Sequence, residues 1–102
     1  MPHNGTVSLL QLESFVVLAE ERSVTRAAER LRVSQPPLTR RLRALEEELG
    51  VQLFERHGRG VRLLPPGQVL LARARQILAD VDAVAQAVVA ADAQAPAGHP
   101  RT

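Results

Sequence analysis

The chain has 102 residues, 45% of them hydrophobic and 24% charged, with a formal net charge of +2. That is room for one small domain and an appended helix, and it is too apolar for a disordered chain. No cysteine occurs and only Phe15 and Phe54 are aromatic, which excludes a disulfide framework, a cysteine-ligated zinc, a thiol nucleophile and an aromatic base-stacking platform, and fits a reducing, cytoplasmic location.

Residues 1–7 (MPHNGTV) read as a loose lead-in, because Pro, Asn and Gly break regular structure. From Ser8, a plausible N-cap, Leu9, Leu12, Phe15, Val16 and Ala19 form one apolar stripe at helical spacing, and the helix should end near Arg22. Ser23 caps a short second helix over about residues 24–31. Its inner face is Ala27, Ala28 and Leu31, and paired alanines let another helix approach closely. Ser34 opens a third helix with Leu38, Leu42, Leu45 and Leu49 on one side and Gly50 as its left-handed stop. Two helices joined by a short turn, the second rich in arginine, match a helix-turn-helix.

The start of the third helix is unusual. If Ser34 is the N-cap, its hydroxyl should accept from an amide at position 36 or 37, and both are proline. The hydroxyl is then open to a phosphate or a base edge. The other reading is that the helix starts later, at Pro36 or Pro37.

Beyond Gly50, Val51 and Leu53 alternate with Val61 and Leu63 about the turn His57-Gly58-Arg59-Gly60. This predicts a β-hairpin, which after a helix-turn-helix is a wing. Arg56, Arg59 and Arg62 decorate it, and Arg59 at the tip can follow a phosphate track or enter a minor groove. Pro65-Pro66-Gly67 separates the wing from a last helix over about residues 68–90. There Leu70, Ala74, Ile77, Val81, Val84 and Val88 recur at heptad spacing. A lone helix of this length implies a partner for its seam. Residues 91–102 are rich in Ala, Pro and Gly and are expected to be disordered.

The net charge of +2 hides a segregated distribution. All thirteen basic residues are arginine. Residues 22–45 hold seven of them against Glu29 alone, and residues 56–62 hold three more, with Glu46, Glu47, Glu48 and Glu55 between the blocks. Blocked arginine points to a polyanion, because the guanidinium pairs with phosphate bidentately. No apolar run is long enough to span a membrane.

The run SVTRAAERLRVSQPPLTRRLRALEEELGVQLFERHGRGVRLLPPG closely resembles the DNA-binding domain of LysR-type transcriptional regulators. The paired alanines before VSQP, the L-x-x-L-E-x-x-L-G stretch from Leu42 to Gly50, LFER and the glycine-bearing wing occur in order, and the likeness covers about residues 9–90. It implies a mainly α fold: a winged helix-turn-helix over residues 8–64 and a dimerising linker helix over 65–90. It also implies sequence-specific binding of double-stranded promoter DNA by a homodimer that reads an interrupted inverted repeat. By position, Ser34, Gln35, Pro37, Thr39 and Arg40 would touch bases and phosphates, with Arg43 a phosphate contact further along. Thr25 and Arg26 would approach the backbone, and Arg59 would be the wing arginine. Leu70, Ala74, Ile77, Val81, Val84 and Val88 would form the dimer seam. Gln35 suits a bidentate adenine contact, and Arg40 suits guanine or phosphate. Arg30 and Arg41 are expected only to face solvent.

Three residues depart from the family pattern. Pro37 stands where a small residue is usual, Val24 where an aromatic is common, and Leu64 where a threonine caps the linker helix, so Pro65 or Pro66 must start that helix here. The family also carries a larger effector-binding domain, which residues 91–102 cannot supply. The 102 residues are therefore expected to be either the DNA-binding end of a longer regulator, the favoured reading, or an unusual stand-alone domain.

The alternative is a coiled-coil adaptor with an incidental basic face. Enzymatic function has little support, since His3, His57 and His99 are dispersed, Glu46, Glu47 and Glu48 fan outward on a helix, and no phosphate or dinucleotide loop occurs. No catalytic residue, metal or cofactor is expected.

Overall fold

The computed structural model describes residues 6–58 and 60–94. Four helices and one hairpin follow in chain order: α1 (Leu9–Glu21), α2 (Val24–Leu31), α3 (Gln35–Leu49), β1 (Phe54–His57), β2 (Gly60–Leu63) and α4 (Pro65–Ala93). No described helix is long and apolar enough to cross a membrane.

Local chemistry sets the helix boundaries. Ser8 begins α1 with a reciprocal cap, its Oγ accepting from the Gln11 amide at 3.1 Å while Gln11 Oε1 accepts from the Ser8 amide at 2.9 Å. Arg22 stops α1 in the left-handed conformation, at φ 58°, and its amide donates to Leu18 O. Ser23 caps α2 by accepting from the Arg26 amide at 3.2 Å, and Arg32 ends it, also left-handed. Gly50 ends α3 at φ 72°, as its position predicted.

The first three helices bury Phe15, Leu18, Ala27, Leu38, Leu42 and Leu45 against one another, each at most 1% exposed. Leu38, Leu42 and Leu45 are the expected stripe of α3, whereas Leu49 stays exposed at its end. Leu9, placed on the inner stripe of α1 by periodicity, is 49% exposed.

The strands pair antiparallel, Phe54 with Leu63 and His57 with Gly60, with Gly58 in the turn. Gly58 takes the positive φ, 54°, that a two-residue hairpin loop demands. Val51 and Leu53 do not belong to the hairpin strand, contrary to the alternation. Leu53 is buried, but its amide donates to Glu46 Oε2 at 2.8 Å, so α3 holds this residue below the ribbon. Val51 is 44% exposed. The wing is anchored to the helices where the Val61 amide donates to Arg22 O at 3.1 Å.

Pro65 starts α4, with Leu64 as an uncapping N-cap. The first prolines lack amides that the helix start would leave without an intrahelical partner. At 29 residues α4 is about 43 Å long. It includes Ala91, Asp92 and Ala93, which were expected in the disordered tail, while residues 95–102 lie outside the described residues.

The heptad seam is split between two uses. Leu70 and Ala74 pack inside the protomer, not toward a second subunit. Ala74 is fully buried with Leu12 and Val16 of α1, and half-buried Leu70 and Leu78 close over them. α1 lies across the first half of α4, so that half has its partner already. Residues 79–91 are all exposed, and the apolar positions still open are Ile77, Val81, Val84 and Val88.

Candidate nucleic-acid interface

The buried stripe of α3 decides which side chains project. With Leu38, Leu42 and Leu45 inside, Arg40 and Arg43 fall on the outer face, and Ser34, Gln35 and Pro36 lie exposed at the start of the helix. Pro37 and Thr39 sit at the margins, half-buried. α2 stands beside this start and contributes Thr25 and Arg26, both exposed.

α3 begins at Gln35 with Ser34 as N-cap, and the Ser34 side chain makes no capping bond. Pro36 and Pro37 remove the amides it would have used, and the helix starts at Gln35, not later at Pro36 or Pro37. Gln35 is not loose, because its Nε2 donates to Thr25 Oγ1 at 3.1 Å. The structure thus joins Thr25 and Gln35 at the α2–α3 end, with Arg26 and Ser34 next to them in the chain and Arg40 more than a turn along the exposed side of α3. Arg43 lies one turn further along α3. Arg59 lies outside the described residues, as do His3 and His99.

Four of the arginines are engaged within the protein. Arg30 pairs with Glu20 at 2.8 Å and Glu21 at 3.2 Å, and Arg75 pairs with Glu20 at 3.0 Å. Arg30 and then Arg75 hold the Glu20 carboxyl below its usual range by hydrogen bonding to its charged form. Arg62 pairs with Glu55 across the wing. Arg41 turns inward, its Nη1 donating at 2.8 Å to Oγ of fully buried Ser14, whose hydroxyl donates to Leu10 O at 2.8 Å. Arg30 and Arg41 are therefore structural and not merely solvated. Among the described residues, no carboxylate pairs with Arg26, Arg40 or Arg43, nor with Arg22, Arg32, Arg56 or Arg73.

Two residues missed in the sequence organise this face. Ser14 interrupts an apolar stripe, and a polar residue in a buried stripe needs a partner, so it was open to detection. Glu46 holds the Leu53 amide, and nothing in its glutamate run distinguishes it from its neighbours. Val24, at the position where an aromatic is common, is buried, and a groove of about 380 Å³ opens beside it toward Thr39, Arg43 and Phe54.

A model for bacterial regulatory helix-turn-helix proteins of the lysR family matches residues 9–68. The chain belongs to this family. The HTH-type transcriptional regulator TfdS of Cupriavidus pinatubonensis is 56% identical over 68 residues, which cover 67% of this chain and 23% of that regulator. PcaQ of Agrobacterium fabrum is 43% identical over 94 residues, 92% of this chain and 29% of that regulator. This lysR-family chain thus spans less than a third of the length of these curated relatives.

Solved structures agree with its fold. A CbnR DBD-DNA complex superposes with a TM-score of 0.80 at 42% identity, over 84% of this chain and 99% of that one. A complex of the BenM DBD with catB site 1 DNA gives 0.82 at 39% identity, over 91% and 100%. The architecture is a winged helix-turn-helix followed by a long helix.

Proposed function

We propose that this chain is the DNA-binding end of a dimeric transcriptional regulator, with α3 placed in the major groove of promoter DNA. The observation that carries the reading is the exposed arginine around the start of α3. Arg30, Arg41, Arg62 and Arg75 are engaged by Glu20, Glu21, Ser14 or Glu55, whereas Arg26, Arg40 and Arg43 stand exposed around the uncapped start of α3 without a carboxylate partner among the described residues. Exposed guanidinium groups clustered without an internal carboxylate are suited to phosphates. The CbnR and BenM DNA-binding domains that superpose on this chain are bound to DNA, which supports the same reading.

In this reading Arg40 and Gln35 meet base edges, while Ser34, Thr25, Arg26 and Arg43 meet the backbone. Pro37 and Thr39 shape the margin of α3, and Arg59 belongs to the wing. Two copies join through the outer half of α4, at Ile77, Val81, Val84 and Val88. Leu9 and Leu10 of α1 border a groove with Leu78 and Val81, which widens the apolar seat for a second α4. A two-fold pairing of these faces presents two α3 helices to successive major grooves, about 34 Å apart or a multiple of it. In the longer regulator, an effector-binding domain follows α4 and the protein acts in the cytoplasm.

Selecting bound duplexes from a random library, then measuring affinity at two salt concentrations, tests the proposal. An inverted repeat whose affinity falls steeply with salt is expected. No duplex binding even at low salt refutes it and favours an adaptor.

A further inference from the structure

One hydrogen bond ties the reading end of α3 to α2, and it leaves part of a carboxamide unspent. Gln35 Nε2 donates to Thr25 Oγ1 at 3.1 Å, and both residues are exposed where α2 meets α3. A carboxamide has two N–H donors and one carbonyl acceptor. When the N–H trans to the carbonyl is the one on Thr25, the other N–H and Oε1 remain side by side. That pair complements an adenine edge in the major groove, where N7 accepts and the N6 amino group donates.

Both ends of the bond are held. Thr25 is the second residue of α2, whose start is set by the Ser23 cap on the Arg26 amide. Threonine is branched at Cβ, so its χ1 is restricted. Gln35 opens a turn stiffened by Pro36 and Pro37, each ring locking φ near about −65°. The flexible part is the glutamine side chain. Unheld, it can turn its amide over, exchanging donor and acceptor and losing the adenine match.

We propose that Thr25 is a positioning residue for sequence reading, its hydroxyl holding the Gln35 carboxamide in the orientation that selects adenine. The proposal rests on α3 reading DNA as described above. A hydroxyl can also donate, so the orientation is fixed once the Thr25 proton is on a phosphate oxygen of the duplex, which leaves Oγ1 only able to accept from the Gln35 amide. The preference at Gln35's base pair is thus set partly from the neighbouring helix, ten residues earlier in the chain.

The test uses the full chain, its selected duplex, and duplexes with each base pair exchanged in turn. Gln35→Ala identifies the base pair that Gln35 reads. Thr25→Val is expected to lose about three- to tenfold of the discrimination at that same base pair, the range one neutral hydrogen bond supplies. Thr25→Ser should restore it, and Thr25→Val combined with Gln35→Ala should discriminate no worse than Gln35→Ala alone. A Thr25→Val protein that binds every duplex more weakly by one common factor, with discrimination intact, overturns the positioning role and leaves only a phosphate contact. If Gln35→Ala leaves discrimination unchanged, the proposal falls while DNA binding stands. If the unaltered chain prefers no duplex, the functional reading falls and the proposal with it.

Discussion

Gly67→Ala sets two effects of opposite sign against each other, and the structure decides between them. Gly67 is the third residue of α4 and is buried. Alanine is the better helix former by about 1 kcal/mol, so propensity alone predicts stabilisation. A Cβ at this position would lie 2.1 Å from Leu53 O, 3.0 Å from Leu53 C and 3.2 Å from Leu63 Cδ2, where ordinary contact begins near 3.4 Å. The shortfall at the carbonyl oxygen is about 1.3 Å. That oxygen cannot retreat cheaply. It accepts from the Leu64 amide at 2.9 Å, and the amide of the same residue is held by Glu46.

Relief therefore requires α4 to lift off the hairpin. Lifting weakens one buried hydrogen bond, worth about 1 kcal/mol, and strains packing around Leu63 and Leu70, where overfilling costs about 1–3 kcal/mol. The net is a loss of about 1–3 kcal/mol, which in a domain of this size lowers Tm by roughly 5–20 °C. Scanning calorimetry on both proteins reads it directly. Because Gly67 also sets the angle at which α4 leaves the wing, binding to two half-sites should weaken more than binding to one. An unchanged or raised Tm would falsify the reasoning, since it would mean that helix propensity outweighs the clash.

Glu20→Gln should lower Tm by no more than a few degrees at neutral pH, because the ion pairs are exposed and screened. Arg30 and Arg75 depress the folded-state value of Glu20, so its contribution is fully present above the usual 4.5 and is lost as pH falls through the folded value. The difference from the unaltered protein should close on acidification, and a gap that persists in acid refutes the assignment. Ser14→Ala should destabilise by about 1–2 kcal/mol in chemical denaturation, through loss of the Arg41 bond. Arg41→Ala should leave the salt slope of DNA binding unchanged, since that guanidinium turns inward. Arg43→Ala should weaken all duplexes alike and reduce the salt slope by about 1, and a change confined to one base pair would instead make it a base contact. Val84→Asp should shift sedimentation toward the monomer with little change in secondary structure, because Val84 is 64% exposed. A dimer of unaltered affinity would place the seam elsewhere.

Some of these features follow from residues close together in the chain. Helix ends depend on chemistry within four residues, so Ser8, Ser23 and Gly50 could be placed by reading along the sequence. The stripe Leu38, Leu42 and Leu45 has the period of one helix face, and it dictates that Arg40 and Arg43 project outward. The order of these pieces, with the glycine-bearing wing after them, was specific enough to indicate the family. Other features depend on which element lies across another, and periodicity is silent about that. The heptad of α4 marks an apolar face without naming its partner, and only the packing of α1 shows that Leu70 and Ala74 are covered at home while Val81, Val84 and Val88 are not. Alternation extended the wing back to Val51, but a carboxylate from α3 holds Leu53 instead. Arg41 and Arg40 are adjacent and chemically identical. One reaches Ser14 and the other faces out, because successive residues on a helix point about 100° apart and α1 occupies only one of those directions.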